Sequence, residues 1–165
     1  MKKIAIMLSV VLFASLLISC GPKKKTGEKM GEKIAGKVIE KATGGDTEGN
    51  VDGEEITFKN KEGEAVTFGS TKWPNIDYIP EFKKGKITNA TSDSKGNIMV
   101  VFEKVDQKDF ENYWKSLEED FSEETSEMQI DEYILYSGKN AKGETVAVQY
   151  FKKDSSLSII GNRPE

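Results

Sequence analysis

The stretch Asp106 to Phe121, DQKDFENYWKSLEEDF, decides the fold class. Phe110, Trp114, Leu117 and Phe121 fall three or four residues apart with Tyr113 beside them, so a helix here carries one apolar face. Asp106 offers a side-chain acceptor to the free amides of its first turn. Such an aromatic stripe reads as a core face rather than a cofactor box. On either side the hydrophobic period drops to two. Lys86–Ser92 and Asn97–Val105 flank Asp93–Gly96 as a hairpin, and Ile56-Thr57-Phe58 and Val66-Thr67-Phe68 flank Asn60–Gly63 as another. Downstream, Met128–Ser137, Thr145–Lys152 and Leu157–Ile160 read as three strands, with turns at Lys139–Gly143 and Lys153–Ser156. The order is ββ-loop-ββαβββ. Connections this short join antiparallel strands, so residues 54–165 are expected to form an α+β domain, a mainly antiparallel sheet with one covering helix.

Composition narrows the chemistry. The 165 residues include 24 Lys and Arg against 28 Asp and Glu, a formal charge of −4, with no His and one Cys, Cys20. Arg163 is the chain's one arginine. Without imidazole there is no Ser-His-Asp or Cys-His nucleophile and no histidine-ligated metal. A lone Cys excludes an intrachain disulfide and a thiolate cage. An acidic balance with one Arg argues against nucleic acid as a partner, which needs clustered positive charge. Neither a metal nor a cofactor is expected.

The N-terminus reads as an address. Lys2 and Lys3 precede an apolar run, Ile4–Ile18, broken only by Ser9 and Ser15. A helix of that run spans roughly 22 Å, short of the ~30 Å hydrocarbon core. Residues 1–19 therefore read as a secretory signal. The run closes on Leu17-Ile18-Ser19-Cys20, which resembles the lipobox of bacterial lipoprotein precursors. The resemblance implies cleavage between Ser19 and Cys20 and diacylglyceryl transfer to the Cys20 sulfur. Fatty acylation (palmitate among the acyl chains) then anchors the protein to membrane lipid, on the cell membrane or outer membrane and outside the cytoplasm. Two acyl chains, at ~0.8 kcal/mol per buried CH₂, hold a protein stably. Gly21 is not the Asp that resembles an inner-membrane retention signal.

Residues 20–42 hold a net charge of +4, and everything from Ala42 onward −10. Lys25, Lys29, Lys33, Lys37 and Lys41 recur every fourth residue, and Met30, Ile34 and Val38 keep the same step. This predicts an amphipathic stalk helix over 26–42, stopped at Gly44-Gly45. Gly31 and Gly36 cost about 1 kcal/mol each against Ala, so it needs a surface. Anionic headgroups contacted by the five lysines are one such surface and the folded body another. Residues 43–53, TGGDTEGNVDG, read as a flexible joint. Glu48, Asn50, Asp52 and Gly53 open like an EF-hand loop, but its twelfth position is Lys59. The body also resembles the uncharacterised C-terminal domains of small bacterial lipoproteins. They carry a similar basic helix ending in Gly-Gly, a Trp-Pro turn (Trp73-Pro74) and a late hairpin, over most of 28–160. That resemblance implies no activity.

The most informative loop is Lys72–Phe82, KWPNIDYIPEF, in which Pro74 and Pro80 exclude regular structure. Trp73, Tyr78 and Phe82 are the candidate partner- or ligand-binding residues if exposed; the alternative is a loop capping one end of the core. Six carboxylates from Glu118 to Glu127 read as a solvated face near the helix end. Ser92-Asp93-Ser94-Lys95 matches S-x-x-K in form only, since it sits in a hairpin turn. Asp131 and Glu132, adjacent on an expected strand, would point to opposite faces. The expectation is a lipid-anchored envelope protein with a small non-catalytic binding domain for a protein or small ligand. A structural or stress-related envelope component is the alternative, and a small envelope hydrolase the third reading.

Overall fold

The computed structural model describes residues 47–52 and 55–164. Among them nine strands form one sheet: β1 (Thr47–Asp52), β2 (Glu55–Asn60), β3 (Ala65–Ser70), β4 (Lys86–Asp93), β5 (Ile98–Glu103), β6 (Glu123–Gln129), β7 (Tyr133–Lys139), β8 (Thr145–Phe151) and β9 (Ser156–Asn162). The helix, α1 (Gln107–Asp120), lies between β5 and β6 in the chain. Spatial order is β1-β2-β3-β4-β5-β9-β8-β7-β6, and every neighbouring pair is antiparallel. The last strand inserts between β5 and β8. The fold is therefore α+β with an antiparallel sheet and one covering helix, and the expected stalk helix lies outside the described residues.

The helix starts where Asp106 accepts the Lys108 amide at 2.8 Å. Phe110, Tyr113 and Leu117 are buried against the sheet, and α1 lies over β7 and β8. Its far end is pinned rather than capped by charge. The Phe121 amide closes onto the Leu117 carbonyl at 2.8 Å, and Tyr136 donates its hydroxyl to the Phe121 carbonyl at 2.7 Å. Gly138 makes room for that approach, because a Cβ there would stand 2.1 Å from the Phe121 oxygen.

One face of the sheet is the core wall. Ala90, Val100, Ile159, Val148 and Tyr136 form a buried row across β4, β5, β9, β8 and β7. The Val and Ile side chains among them each contribute about 1.5–3 kcal/mol by leaving water. The opposite face is open. Thr91, Met99, Ile160, Ala147, Ser137 and Ser126 make one cross-strand row on it, and Asn89, Val101, Ser158, Gln149, Leu135 and Met128 the next.

Two expectations are corrected. The joint expected at 43–53 contains a strand, since Thr47–Asp52 pairs along its length with β2, and the sheet begins before residue 54. Main-chain pairing at an edge requires no apolar alternation, which is why a glycine-rich stretch can join. Met128–Ser137 is not one strand but the ends of two. β6 and β7 form a hairpin turning at Ile130–Glu132, so Asp131 and Glu132 sit in the turn, where Lys152 donates to the Ile130 carbonyl at 2.7 Å. β6 is exposed at every position and lacks the alternation that marks a half-buried strand.

Candidate functional site: the aromatic loop and the Arg163 node

Between β3 and β4, residues 71–85 form no helix or strand. The Ile76 amide turns back to the Pro74 carbonyl at 2.9 Å. From there the apolar side chains enter the core one by one. Ile79 is buried and lies over Gly161, where a Cβ would stand 2.4 Å from its Cδ1. Phe82 is 4% exposed, with its ring edge-on to Phe102 at 5.2 Å and to Tyr113 at 5.0 Å. Tyr113 donates to the Pro80 carbonyl at 2.8 Å. Trp73 is half-buried and tilts against Phe102 at 6.3 Å. Phe82 is thus a core residue and not part of a binding face, because the loop packs against the core face of β5 and β9 beside α1. Trp73 and Tyr78 keep only an edge toward solvent.

Tyr78 leads to the node. Its hydroxyl donates to the Gly96 carbonyl at 2.9 Å, and the Arg163 guanidinium lies 4.7 Å over its ring. Burial pushes that hydroxyl up to about 12, although Arg163 pulls the other way. The same guanidinium forms an ion pair with Asp77 of the loop and another, at 3.0 Å, with Glu144. The Arg163 amide donates to Asn97 Oδ1 at 3.0 Å. Arg163 follows β9, which runs between β5 and β8, so it meets the start of each neighbour.

Three hairpin turns share one design, and two of them touch this node. They read Asn60-Lys-Glu-Gly-Glu64, Asp93-Ser-Lys-Gly-Asn97 and Asn140-Ala-Lys-Gly-Glu144. In each, the first residue's Oδ1 accepts the amides of residues three and five at 2.8–3.0 Å. The fifth side chain bonds back to the first at 2.7–2.9 Å. Glu144, 7% exposed, is held by Asn140 on one side and Arg163 on the other. The repeated pattern is legible in the sequence, but its link to Arg163 is not.

Beside the node a groove of about 320 Å³ opens between the loop and the β4–β5 turn, lined by Pro74, Asn75, Ile76, the 92–96 turn and Arg163. Its lining is mixed, with amide, hydroxyl and charged groups around two apolar side chains. That chemistry suits recognition of a polar ligand or peptide segment by hydrogen bonds. Ser94 sits in the hairpin turn, but Ser92 lies within β4 opposite Ile98, and the chain holds no imidazole to activate either. A second concavity of about 520 Å³, lined by residues including Thr88, Glu103, Lys104, Asp154 and Ser155, places the left-handed backbones of Lys104 and Ser155 together. Sequence reading gave no sign of it.

The acidic run divides between the end of α1 and β6, where Glu124 pairs with Lys139 at 2.7 Å. Among the described residues no three acidic or Cys side chains gather in a metal-binding arrangement. Among them, too, no helix is long and apolar enough to cross a membrane. Ser19, Cys20 and the lysines at 25, 29, 33, 37 and 41 lie outside the described residues. No protein-family model, curated protein or solved structure matches the chain.

Proposed function

We propose that this chain is a lipid-anchored lipoprotein of the bacterial cell envelope whose α+β body is a non-catalytic binding domain. The observation that carries the anchor is Leu17-Ile18-Ser19-Cys20, a lipobox-like end to an apolar run that holds the chain's single thiol. The stalk lysines 25, 29, 33, 37 and 41 lie next to that anchor in sequence, and anionic headgroups are their partner in this reading. In the body, the groove beside Trp73 and Tyr78 is the ligand face, because it offers unlike polar groups on a well-packed frame. A structural or stress-related envelope role is the second reading. It is favoured by the burial of Ile79 and Phe82, which spends much of the aromatic loop on capping the core.

The anchor is tested by Cys20→Ser with labelled palmitate. Label and membrane association are expected to vanish together, and a variant still processed and membrane-bound would reject the lipoprotein assignment. The ligand face is tested in intact cells by a photo-crosslinking residue at Asn75, on the groove, against one at Lys153, away from it. A discrete adduct from position 75 alone supports a binding domain. Adducts from neither position favour the structural role, and turnover of an envelope substrate lost on Ser94→Ala would favour a hydrolase.

A further inference from the structure

We infer that Met128 is a peroxide-reactive site, oxidised to the sulfoxide with Tyr133 as its proton donor. The described residues hold two methionines, Met99 and Met128, and neither lies in the core, where methionine commonly fills gaps. They are 46% and 48% exposed, and both project from the open face of the sheet. Their sulfurs differ in one respect. Tyr133, diagonal to Met128 across the β6–β7 hairpin, donates its hydroxyl to the Met128 sulfur at 3.3 Å. Phe151, opposite Tyr133 on β8, braces the donor with its ring at 6.3 Å. Met99 lies between Thr91 on β4 and Ile160 on β9, and no hydrogen bond reaches its sulfur from any described residue.

A thioether is a weak acceptor, and a sulfur that accepts one hydrogen bond keeps a second lone pair for an electrophile. The electrophile is a hydroperoxide, either hydrogen peroxide or an alkyl analogue. The sulfur pair attacks its terminal oxygen, the S–O bond forms as the O–O bond breaks, and the far oxygen leaves with the bonding electrons. That oxygen takes the Tyr133 proton and departs as water or an alcohol. The proton that began on the attacked oxygen returns to the phenolate, leaving the sulfoxide and an intact tyrosine. Sulfur loses two electrons and the peroxide gains them. Without a donor the far oxygen would have to leave as hydroxide or alkoxide, so a hydroxyl already beside the sulfur acts as a general acid. The sulfoxide oxygen accepts more strongly than the thioether, and the same hydroxyl holds the product. Since β6 is exposed at every position, the new polar group stands at the sheet edge and not in the core.

The test treats the full chain with hydrogen peroxide and follows, by mass spectrometry, one added oxygen on the tryptic peptides 96–104 and 116–139, each of which holds one methionine. Met128 is expected to oxidise about tenfold faster than Met99, less than the roughly 10²–10⁴ of an enzyme's general acid because water competes at an exposed sulfur. Tyr133→Phe keeps the ring against Phe151 and removes only the hydroxyl. It is expected to bring Met128 to the Met99 rate and to leave Met99 unchanged. In urea, where no fold holds the pair together, the two methionines of the unaltered chain are expected to react alike, a comparison that needs no variant. The inference is overturned if Met128 reacts no faster than Met99 in the folded chain, or if its lead persists in urea. It is equally overturned if Tyr133→Phe leaves that lead intact or slows both methionines together.

Discussion

Arg163 gathers partners that lie 86, 66 and 19 residues away in the chain: Asp77, Asn97 and Glu144. A planar guanidinium can fork between two carboxylates and stack on Tyr78 at once, which an ammonium cannot. Arg163→Lys is therefore expected to release the aromatic loop almost as fully as Arg163→Ala. Limited proteolysis within residues 71–85 should quicken in both, and Trp73 should become more quenchable by acrylamide in a Trp114→Phe background. Unchanged cleavage would mean that Ile79 and Phe82 hold the loop alone. The glycines make a second contrast. At Gly138 a new methyl meets backbone, the Phe121 carbonyl, whereas at Gly161 it meets side-chain atoms, the ends of Ile79 and Tyr78. Gly138→Ala is expected to cost about 2–3 kcal/mol in urea unfolding and Gly161→Ala about 1 kcal/mol. Equal losses would refute the pinning of the helix end.

Among the elements, the helix and the strands buried on alternate positions were legible because burial imposes a period. The cap at Asp106 and the stripe Phe110–Phe121 correspond to a real element with its apolar face on the sheet. The edge strands were not legible. β1 and β6 are each tied to one neighbour by main-chain bonds, and neither composition nor period reports such bonds. Within α1, Phe110 stacks on Tyr150 at 5.1 Å and is fully buried, while the Trp114 indole N–H is buried without a partner. Phe110→Ala should lose about 3–5 kcal/mol, but Trp114→Phe should stay within about 1 kcal/mol, since it also relieves an unsatisfied donor. A Trp114→Phe loss matching that of Phe110→Ala would imply a hydrogen bond at the indole. The turns make an ordered set. Asp93→Ala and Asn140→Ala should each cost more than Asn60→Ala, where about 1 kcal/mol is expected, because their fifth residues also hold Arg163. Thermal midpoints of the three variants decide it.

For the whole molecule, alkaline pH exposes how the loop is bound to the core. Burial raises the hydroxyls of Tyr78, to about 12, and of Tyr113 above the ordinary 10.0. The folded chain keeps both protons where the unfolded chain releases them, so their contribution is complete below pH 10 and is lost as pH rises toward 12. The thermal midpoint should fall across that interval, and Tyr78→Phe with Tyr113→Phe should flatten the fall. A slope untouched by both changes would place the titration elsewhere. By itself the sequence determined what depends on local pattern and composition: one amphipathic helix among antiparallel hairpins, the places of their turns, and the absence of imidazole. Tertiary structure alone decided what depends on strands meeting. The insertion of β9 between β5 and β8 brings Arg163 to two turns and the loop. Pairing at the two edges enlarges the sheet, and the registers bring separate Met, Ile, Ala and Leu residues together on its open face. Contacts between distant residues follow from closing the sheet, and no local period carries them.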